Sequence, residues 1–260
     1  MKPITQPAAL RKVNRKLIDI HNHILNGIDD GASNLEESIA MANIASMDGI
    51  NVIVTTPHDR DVLDRHSIDK LVTVKETLQL SLKQHNVPLK LIIGMENHME
   101  LNLIERVKHG RSLPIEGTNY ILVELPFDFY PYYTNEVLNS IQNMGLLPII
   151  VHPERNVAIQ TDISIVHSFK SAGFFIQVDS GSIEGSFGNL SEITSKSLLK
   201  HRLVDFIATD AHSSQGTRIP IISRSVGIAA TLIGNNEAQN LVDRNPQMLL
   251  SNESVPSLYK

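Results

Sequence analysis

Nine side chains of the kinds that bind metal ions lie at or just beyond the ends of short apolar segments in this 260-residue chain. Imidazoles and carboxylates without a thiolate suit manganese, iron or zinc, and manganese is the ion that we expect first. Eight or nine such ligands can hold two or three ions, and paired ions activate a water for hydrolysis. The pattern therefore predicts a polynuclear metal-dependent hydrolase. Its predicted ligands are His21, His23, Asp30, His58, Glu96, Glu124, His152, Asp210 and His212.

The spacing of the first two histidines favours a shared metal ion. His21 and His23 are two residues apart, so both imidazoles point to the same side of a strand; the alternative is a pair of buried core histidines. Glu96 and Glu124 follow apolar runs, where an unpaired buried carboxylate would cost several kcal/mol unless a metal binds it. Asp30 has the weakest case, because its loop, between Gly27 and Gly31, also has the composition of an ordinary turn.

Two arginines are placed to bring phosphate to the same face. Arg155 lies three residues after His152, and Arg218 lies six residues after His212. A guanidinium group is a planar fork of fixed charge, which binds phosphate bidentately and stabilises the oxygens during phosphoryl transfer. A surface ion pair is the alternative for each arginine. Beside a metal cluster, phosphate binding is the better interpretation.

Seven short strands rich in Ile and Val must position these residues. We predict strands at 17–23, 50–56, 90–96, 120–125, 147–152, 174–179 and 204–209. We predict helices at 34–48, 68–84, 134–144, 161–171, 190–200, 218–232 and 236–243. The first helix has Ser33 and Glu36 at capping-box spacing and Gly49 at its end. The alternation predicts one α/β barrel domain over 17–260, with all strand ends opening onto one face.

Composition sets the remaining limits. The absence of cysteine excludes disulfides, zinc–thiolate sites and cysteine-nucleophile catalysis. No apolar run approaches the roughly 18 residues of a membrane span, so we expect no span and a cytoplasmic protein. The net charge of −5 gives no support for a nucleic-acid partner. Residues 1–16 form a predicted basic N-terminal arm, which either contacts an acidic partner or membrane surface or, as we prefer, is a solvated extension.

Taken in chain order, the motifs resemble those of a known family. They are His21-x-His23, Gly27-Ile-Asp-Asp-Gly31, Thr-Pro-His58, Gly-Met-Glu96, Val-Glu124-Leu-Pro, His152-Pro-Glu-Arg155-Asn, Ser180-Gly-Ser182 with Phe187-Gly188, and Asp210-Ala-His212. This set is similar to that of the polymerase-and-histidinol-phosphatase (PHP) superfamily. Within it, the set looks like the CpsB/CapC-type bacterial protein-tyrosine phosphatases over about residues 17 to 220.

The resemblance implies a distorted (β/α)7 TIM-like barrel with three divalent metal ions, typically manganese, that hydrolyses phosphotyrosine in proteins. One ion would take His21, His23, Glu96 and Asp210, a second Glu96, Glu124 and His152, and a third Asp30, His58 and His212. Arg155 and Arg218 would hold the phosphate while a metal-bridging hydroxide attacks phosphorus. The implied substrate is the tail of a membrane-bound bacterial tyrosine kinase that controls capsule or exopolysaccharide production. The alternatives are a small-molecule phosphatase, such as a histidinol-phosphate phosphatase, and a non-catalytic metal-stabilised scaffold.

Three neighbouring features have two interpretations each. Arg60 either joins the phosphate site or pairs with a carboxylate, and we expect the pair. His98 has the position of a further ligand, although we expect most histidines outside the motifs at the surface. The aromatic segment 127–133 either grips a phosphotyrosine ring or packs a helix onto the barrel rim. We assign no general acid, because a phenol of pKa about 10 is a tolerable leaving group.

Overall fold

Short parallel strands alternate with helices through residues 17–256 and 259, which the computed structural model describes. The strands are β1 (Leu17–Asn22), β2 (Ile50–Thr55), β3 (Lys90–Ile93), β4 (Glu96–His98), β5 (Tyr120–Glu124), β6 (Leu147–Val151), β7 (Phe175–Asp179) and β8 (Phe206–Ala208). The helices are α1 (Leu35–Asp48), α2 (Asp59–Arg65), α3 (Ile68–Gln84), α4 (Leu103–Lys108), α5 (Thr134–Asn143), α6 (Val157–Thr161), α7 (Ser164–Ser171), α8 (Ser180–Ile183), α9 (Asn189–Lys200), α10 (Ser223–Ile233), α11 (Asn235–Asn240) and α12 (Arg244–Leu250). The predicted basic arm, residues 1–16, lies outside the described residues.

The strands form two parallel sheets. The first has the order β1-β2-β3, and the second runs from β4 to β8 in sequence order. Isolated bridges join the two sheets on both sides, from Asn22 to Ala211 and from His58 to Glu96. The predicted parallel α/β architecture is therefore confirmed. The described residues nevertheless form no continuous ladder that closes a barrel, because the third predicted strand is interrupted.

That interruption places a key carboxylate at the start of the second sheet. The sequence predicts one strand at 90–96, but β3 stops before Gly94 and β4 starts at Glu96. A Cβ atom on Gly94 would lie 2.8 Å from Cγ1 of Val54, so only glycine fits this close approach to β2. The backbone N–H of Glu96 then donates to the carbonyl of Pro57. Glu96 is thereby fixed beside the end of β2.

Several helices differ from their predicted bounds. The short helices α2, α4, α8 and α12 have no counterpart in the prediction. The predicted helix 161–171 covers α7 and only the last residue of α6, and between these two helices the Asp162 side chain accepts a hydrogen bond from the N–H of Ser164. Helix α10 begins at Ser223 and not at 218, because Pro220 disfavours a helical conformation at the residue before it. No helix among the described residues has the length and apolar character needed to cross a bilayer.

The cap of α1 lies one residue beyond the predicted position. The sequence predicts Ser33 and Glu36 as the capping pair, and this is wrong. The side chain of Asn34 accepts from the N–H of Glu37 at 2.9 Å, and Oε2 of Glu37 accepts from the N–H of Ser33 at 3.1 Å. Gly49 ends the helix in a left-handed conformation, as predicted, with φ of 98°.

Strand residues pack in two clusters. On β5, Ile121 and Val123 pack with apolar side chains of the helices. Their neighbours Tyr120 and Leu122 join a second cluster with side chains of the other strands and with Leu249 of α12. Because the strand is buried on both faces, its position is rigidly fixed. The backbone positions of residues at the strand ends are therefore well fixed.

Candidate active site

The ends of β1 and β8 and the start of β4 bring four predicted ligands together. His21 and His23 face each other with their Nε2 atoms 3.2 Å apart. Glu96 Oε1 lies 3.4 Å from Nε2 of His21, and Glu96 Oε2 lies 3.4 Å from Nε2 of His23. Asp210 Oδ1 lies 3.5 Å and 3.3 Å from the same two nitrogens. All four side chains are buried, so this predicted set converges on one point.

A second group gathers around Asp30 at the solvent edge of the site. Asp30 Oδ1 lies 3.3 Å from Nε2 of His58 and 3.2 Å from Nε2 of His212. His23 also has a ligand atom within reach of this group, and its ring stacks on His212 with centroids 3.8 Å apart. The Asp30 side chain is 62% exposed. The loop therefore delivers Asp30 to His58 and His212, the two histidines with which the family resemblance groups it.

Glu96 also belongs to a third group. Nε2 of His152 lies 2.7 Å from Oε1 of Glu96 and 3.9 Å from Oε1 of Glu124. Nδ1 of His58 lies 2.8 Å from Oε2 of Glu96. The resemblance assigns His58 to the outer group alone, whereas the structure places it between that group and the two glutamates.

The arrangement of the nitrogen and oxygen atoms is better suited to binding divalent metal ions than to hydrogen bonds among the side chains. Oε2 of Glu96 and Nε2 of His212 are buried and make no well-aligned hydrogen bond, although His58 and Asp30 lie within ion-pair distance of them. In each of three clusters, the candidate ligand atoms lie within 4.8 Å of one another. Buried polar atoms without well-aligned hydrogen bonds are costly, and a cation among them removes that cost. Imidazole and carboxylate donors in this number suit manganese, iron or zinc.

The charges of the cluster shift its pKa values strongly. Burial alone would raise the pKa of Glu96, but His21 and His58 hold it well below its ordinary value. Burial would lower the pKa of His58, but Glu96 and Asp30 raise it to about 11. Burial would likewise lower the pKa of His152, yet Asp179 and Glu96 raise it to about 9. Without metal, protonated histidines therefore balance the charge of the buried carboxylates, a role that a bound metal ion would otherwise have.

Asp29, adjacent to Asp30, orients His23, a candidate ligand that the sequence analysis did not connect with it. Its Oδ2 atom lies 2.7 Å from Nδ1 of His23, on the far side of the ring from the cluster, and accepts from the N–H of His58 at 3.2 Å. Its Oδ1 atom accepts from the N–H of Gly31 at 3.0 Å. A carboxylate on the second nitrogen fixes the tautomer and orientation of a metal-binding histidine. Two aspartates in one loop were the available signal, but sequence gave no means of dividing the roles.

A chain of hydrogen bonds through two side chains of β7 orients a second histidine, His21. Nδ1 of His21 lies 2.9 Å from Oε1 of Gln177, and Nε2 of Gln177 donates to Oδ1 of Asp179 at 2.9 Å. Oδ2 of Asp179 lies 3.4 Å from Nη1 of Arg155. Sequence reasoning assigned no site residue to this strand. Polar side chains within a buried apolar strand were the signal that could have found them.

Two residues with open interpretations have carboxylate partners. His98 is half-buried, and its Nδ1 atom lies 2.7 Å from Oε2 of Glu124. This contact orients the carboxylate of Glu124. His98 therefore supports a candidate ligand and is not a simple surface histidine. Arg60 pairs with Glu100, as expected.

The two arginines meet on one carboxylate oxygen. Nη1 of Arg155 lies 2.9 Å and Nη2 of Arg218 lies 2.8 Å from Oδ2 of Asp210. The other oxygen of Asp210 faces the paired histidines described above. Nε of Arg218 is buried and makes no hydrogen bond. A cavity of about 500 Å³ opens beside Arg218, His212 and Asp30.

Two of the candidate ligands have left-handed backbones. His152, after β6, has φ of 34°, and Asp210, after β8, has φ of 49°. Residues other than glycine rarely adopt this conformation, which costs about 1–3 kcal/mol and is found most often at functional sites. Both side chains are turned into the cluster at the point where the strand ends.

Comparison with known proteins agrees with this geometry. The chain is 31% identical to the putative tyrosine-protein phosphatase CapC of Staphylococcus aureus over 239 residues, covering 92% of this chain and 93% of the relative. Identity and coverage are the same for the tyrosine-protein phosphatase YwqE of Bacillus subtilis. A crystal structure from work on YwqE of B. subtilis and CpsB of Streptococcus pneumoniae, described as unique metal-dependent tyrosine phosphatases, superposes with a TM-score of 0.85. It is 30% identical and covers 92% of this chain and 96% of its own.

The family model for capsular polysaccharide synthesis, CpsB/CapC, matches residues 17–251, nearly the whole described chain. The resemblance inferred from the motifs is confirmed. The chain belongs to the CpsB/CapC family.

Proposed function

We propose that the protein is a metal-dependent phosphatase that hydrolyses phosphotyrosine in proteins. The observation that carries this proposal is the position of Asp210, which has one oxygen facing His21 and His23 and the other facing Arg155 and Arg218. A phosphate beside this carboxylate has access both to the metal ligands and to the two guanidinium groups. Such a pairing of ligands with arginines is what phosphate-ester hydrolysis requires.

The ligand geometry supports three divalent ions, of which manganese is the first choice and iron or zinc the alternatives. His21, His23, Glu96 and Asp210 would hold one ion, Glu96, Glu124 and His152 a second, and Asp30, His58 and His212 a third. Glu96 is the natural bridge, since its two oxygens approach members of all three sets. When bound, such ions supply a water of lowered pKa and positive charge for the phosphoryl oxygens.

Arg155 and Arg218 bind and orient the phosphate in this proposal. Their charges stabilise the oxygens of the phosphoryl group as it leaves the phenol. The buried Nε of Arg218 has no hydrogen-bond partner and is available as a further donor. Because the chain has no cysteine, the phosphoryl group passes to water and not to a thiolate.

The proposed substrate is a phosphotyrosine protein, and a membrane-bound bacterial tyrosine kinase that acts in capsule or exopolysaccharide production fits the family best. The relatives are named tyrosine-protein phosphatases, and the family description refers to capsular polysaccharide synthesis. We infer that the protein works in the cytoplasm, where the tail of such a kinase is available. We further infer that the two sheets, bridged on both sides, act as one distorted (β/α)7 barrel with the site at its carboxyl end.

The experiment is a comparison of substrates after metal exchange. The protein is stripped of metal, loaded with manganese, and tested on a phosphotyrosine peptide, the matching phosphoserine peptide and histidinol phosphate. Phosphotyrosine should be hydrolysed fastest. Equal or faster turnover of histidinol phosphate would point to a small-molecule phosphatase, and no turnover with full metal content would point to a binding scaffold.

An arginine variant tests the assigned site. Arg155→Ala should lower kcat/KM for the phosphotyrosine peptide by about 100-fold or more, because a preorganised charge-stabilising donor is lost. Its metal content should remain that of the wild type. Arg65→Ala, at an exposed position of α2, is the matched control and should be unaffected. Loss of metal in the Arg155 variant would show that this arginine supports the ligands and does not bind phosphate.

A further inference from the structure

The segment after β7 carries an aromatic ring back towards the site. Helix α8 begins directly after the strand, and Gly185 and Gly188, with φ of 80° and 96°, allow the turn that follows. The ring of Phe187 then lies on the backbone of Gly181, where a Cβ atom would lie 2.6 Å from Cζ of the ring. A glycine at 181 is therefore required for Phe187 to occupy this position. These residues belong to the Ser180-Gly-Ser182 and Phe187-Gly188 motifs, which have no role in the proposed hydrolysis.

The guanidinium group of Arg155 contacts both the ring of Phe187 and a second aromatic ring. Cζ of Arg155 lies 4.8 Å from the ring centroid of Phe187 and 4.3 Å from that of Phe127. Phe127 lies in the loop after β5, and its carbonyl accepts from the N–H of Val157 at 2.9 Å. Its ring is also 5.5 Å, centroid to centroid, from that of His152. Phe127 thus reaches from a candidate metal ligand to the phosphate-binding arginine, and it is 37% exposed.

We propose that Phe127 and Phe187 determine a preference of the site for aryl phosphates. The two rings hold the guanidinium group of Arg155 by cation–π contact. Their remaining surface receives the phenyl ring of a bound aryl phosphate. This inference rests on the proposed function, since it assumes that the phosphate lies between the metal ligands and Arg155.

The direction of the leaving group supports the assignment. Seven of the nine candidate metal ligands are buried, so the ester oxygen of a bound phosphate must point away from them, towards solvent. Phe127 is 37% exposed and lies beside both His152 and Arg155. An aryl group that leaves the site here passes along an aromatic face, whereas an alkyl group such as the side chain of phosphoserine has no ring to place against it. Offset or edge-to-face contact between rings then favours the aryl ester.

A purely structural role makes a different prediction. If the rings only pack around Arg155, their removal weakens the binding of every phosphate to the same extent. If they also receive the phenyl ring, their removal changes the ratio between aryl and alkyl ligands. The ratio is therefore the quantity to measure.

The test uses binding of two non-hydrolysable ligands to the full-length, manganese-loaded protein. Phenylphosphonate and ethylphosphonate are titrated by calorimetry into the wild type, Phe127→Leu and Phe187→Leu. The wild type should bind phenylphosphonate more tightly. Each variant should lose about threefold to tenfold in affinity for phenylphosphonate beyond any loss for ethylphosphonate, as expected for one aromatic contact.

Control variants keep the result interpretable. Phe129→Leu changes a 54% exposed phenylalanine of the same loop and should leave both affinities unchanged. Gly181→Ala must displace the Phe187 ring and should reproduce the loss of Phe187→Leu, which provides a second route if that variant folds poorly. Equal losses for both ligands, or a wild type without preference, would overturn the proposal. A wild type that prefers phenylphosphonate but hydrolyses no phosphotyrosine would contradict the proposed function and leave the aryl preference standing.

Discussion

Replacing Asp29 by asparagine should weaken metal binding although Asp29 itself contacts no metal in the proposed site. Its carboxylate contacts Nδ1 of His23 and accepts from the backbone N–H of His58 through one oxygen, and from the N–H of Gly31 through the other. The side chain is almost fully buried. Asparagine has nearly the same shape but only one accepting atom. In either orientation its amide NH₂ faces a donor that previously had an acceptor.

The magnitude follows from what these contacts do. Loss of a partner that orients a metal-binding histidine typically costs 10- to 100-fold in metal affinity. Asp29 touches both His23 and His58, which belong to the same candidate cluster. We therefore expect the upper part of that range, about 30- to 100-fold, or about 2 to 3 kcal/mol. The effect should be largest for the ion held by His21, His23, Glu96 and Asp210, because His23 is the candidate ligand whose ring nitrogen Asp29 contacts.

Competition with a fluorescent chelator measures the affinity for manganese, and elemental analysis counts the ions that remain bound. Asp128→Asn, an exposed aspartate in another loop, is the matched control. The reasoning predicts that Asp29→Asn loses ions at chelator concentrations that leave the wild type and the control loaded. Wild-type affinity for all ions in Asp29→Asn would refute the role given to this carboxylate.

Two further predictions concern stability. Without metal, the protein should lose stability as pH rises from about 6.5 to about 9, because burial lowers the pKa of His152 but Asp179 and Glu96 raise it to about 9. The folded state then retains a proton that the unfolded chain releases near pH 6.5, so the Tm of metal-free protein should fall over this range and bound metal should flatten the dependence; a Tm that rises would contradict the assignment. Asn34→Ala should lower the free energy of unfolding by about 1 kcal/mol, because the N–H of Glu37 loses its acceptor. Ser33→Ala should cost less, and urea unfolding of the metal-loaded variants distinguishes the observed cap from the predicted one.

The convergence of ligands was predictable because it follows from topology. Parallel strands present their carboxyl ends on one side, so residues such as His21 and His152, placed where apolar runs stop, must approach one another. The structure brings all nine predicted ligands into one region with Arg155 and Arg218 beside them, although Glu96 lies at the start of β4 and a loop delivers Asp30. The role of each in binding a particular ion stays a prediction.

Features that depend on a shift of one residue were not predictable. Asp29 and Asp30 have the same chemistry, and only the path of the loop decides which reaches His23 and which reaches His58. The helix cap at Asn34 had an equally good candidate one position earlier. The interruption at Gly94 depends on how closely β3 passes Val54, which is a tertiary contact; the glycine inside the predicted strand is a local signal of such an approach but does not locate it.

At His152 and Asp210, the left-handed backbone disfavours the residue that the site needs. Glycine adopts such a conformation without steric cost, so a glycine at 152 or 210 would relieve local strain while deleting a side chain of the site. A search for more heat-resistant variants that ignores activity would therefore drift towards well-folded proteins that cannot act on phosphate. Engineering of this chain should hold both positions constant and seek stability elsewhere.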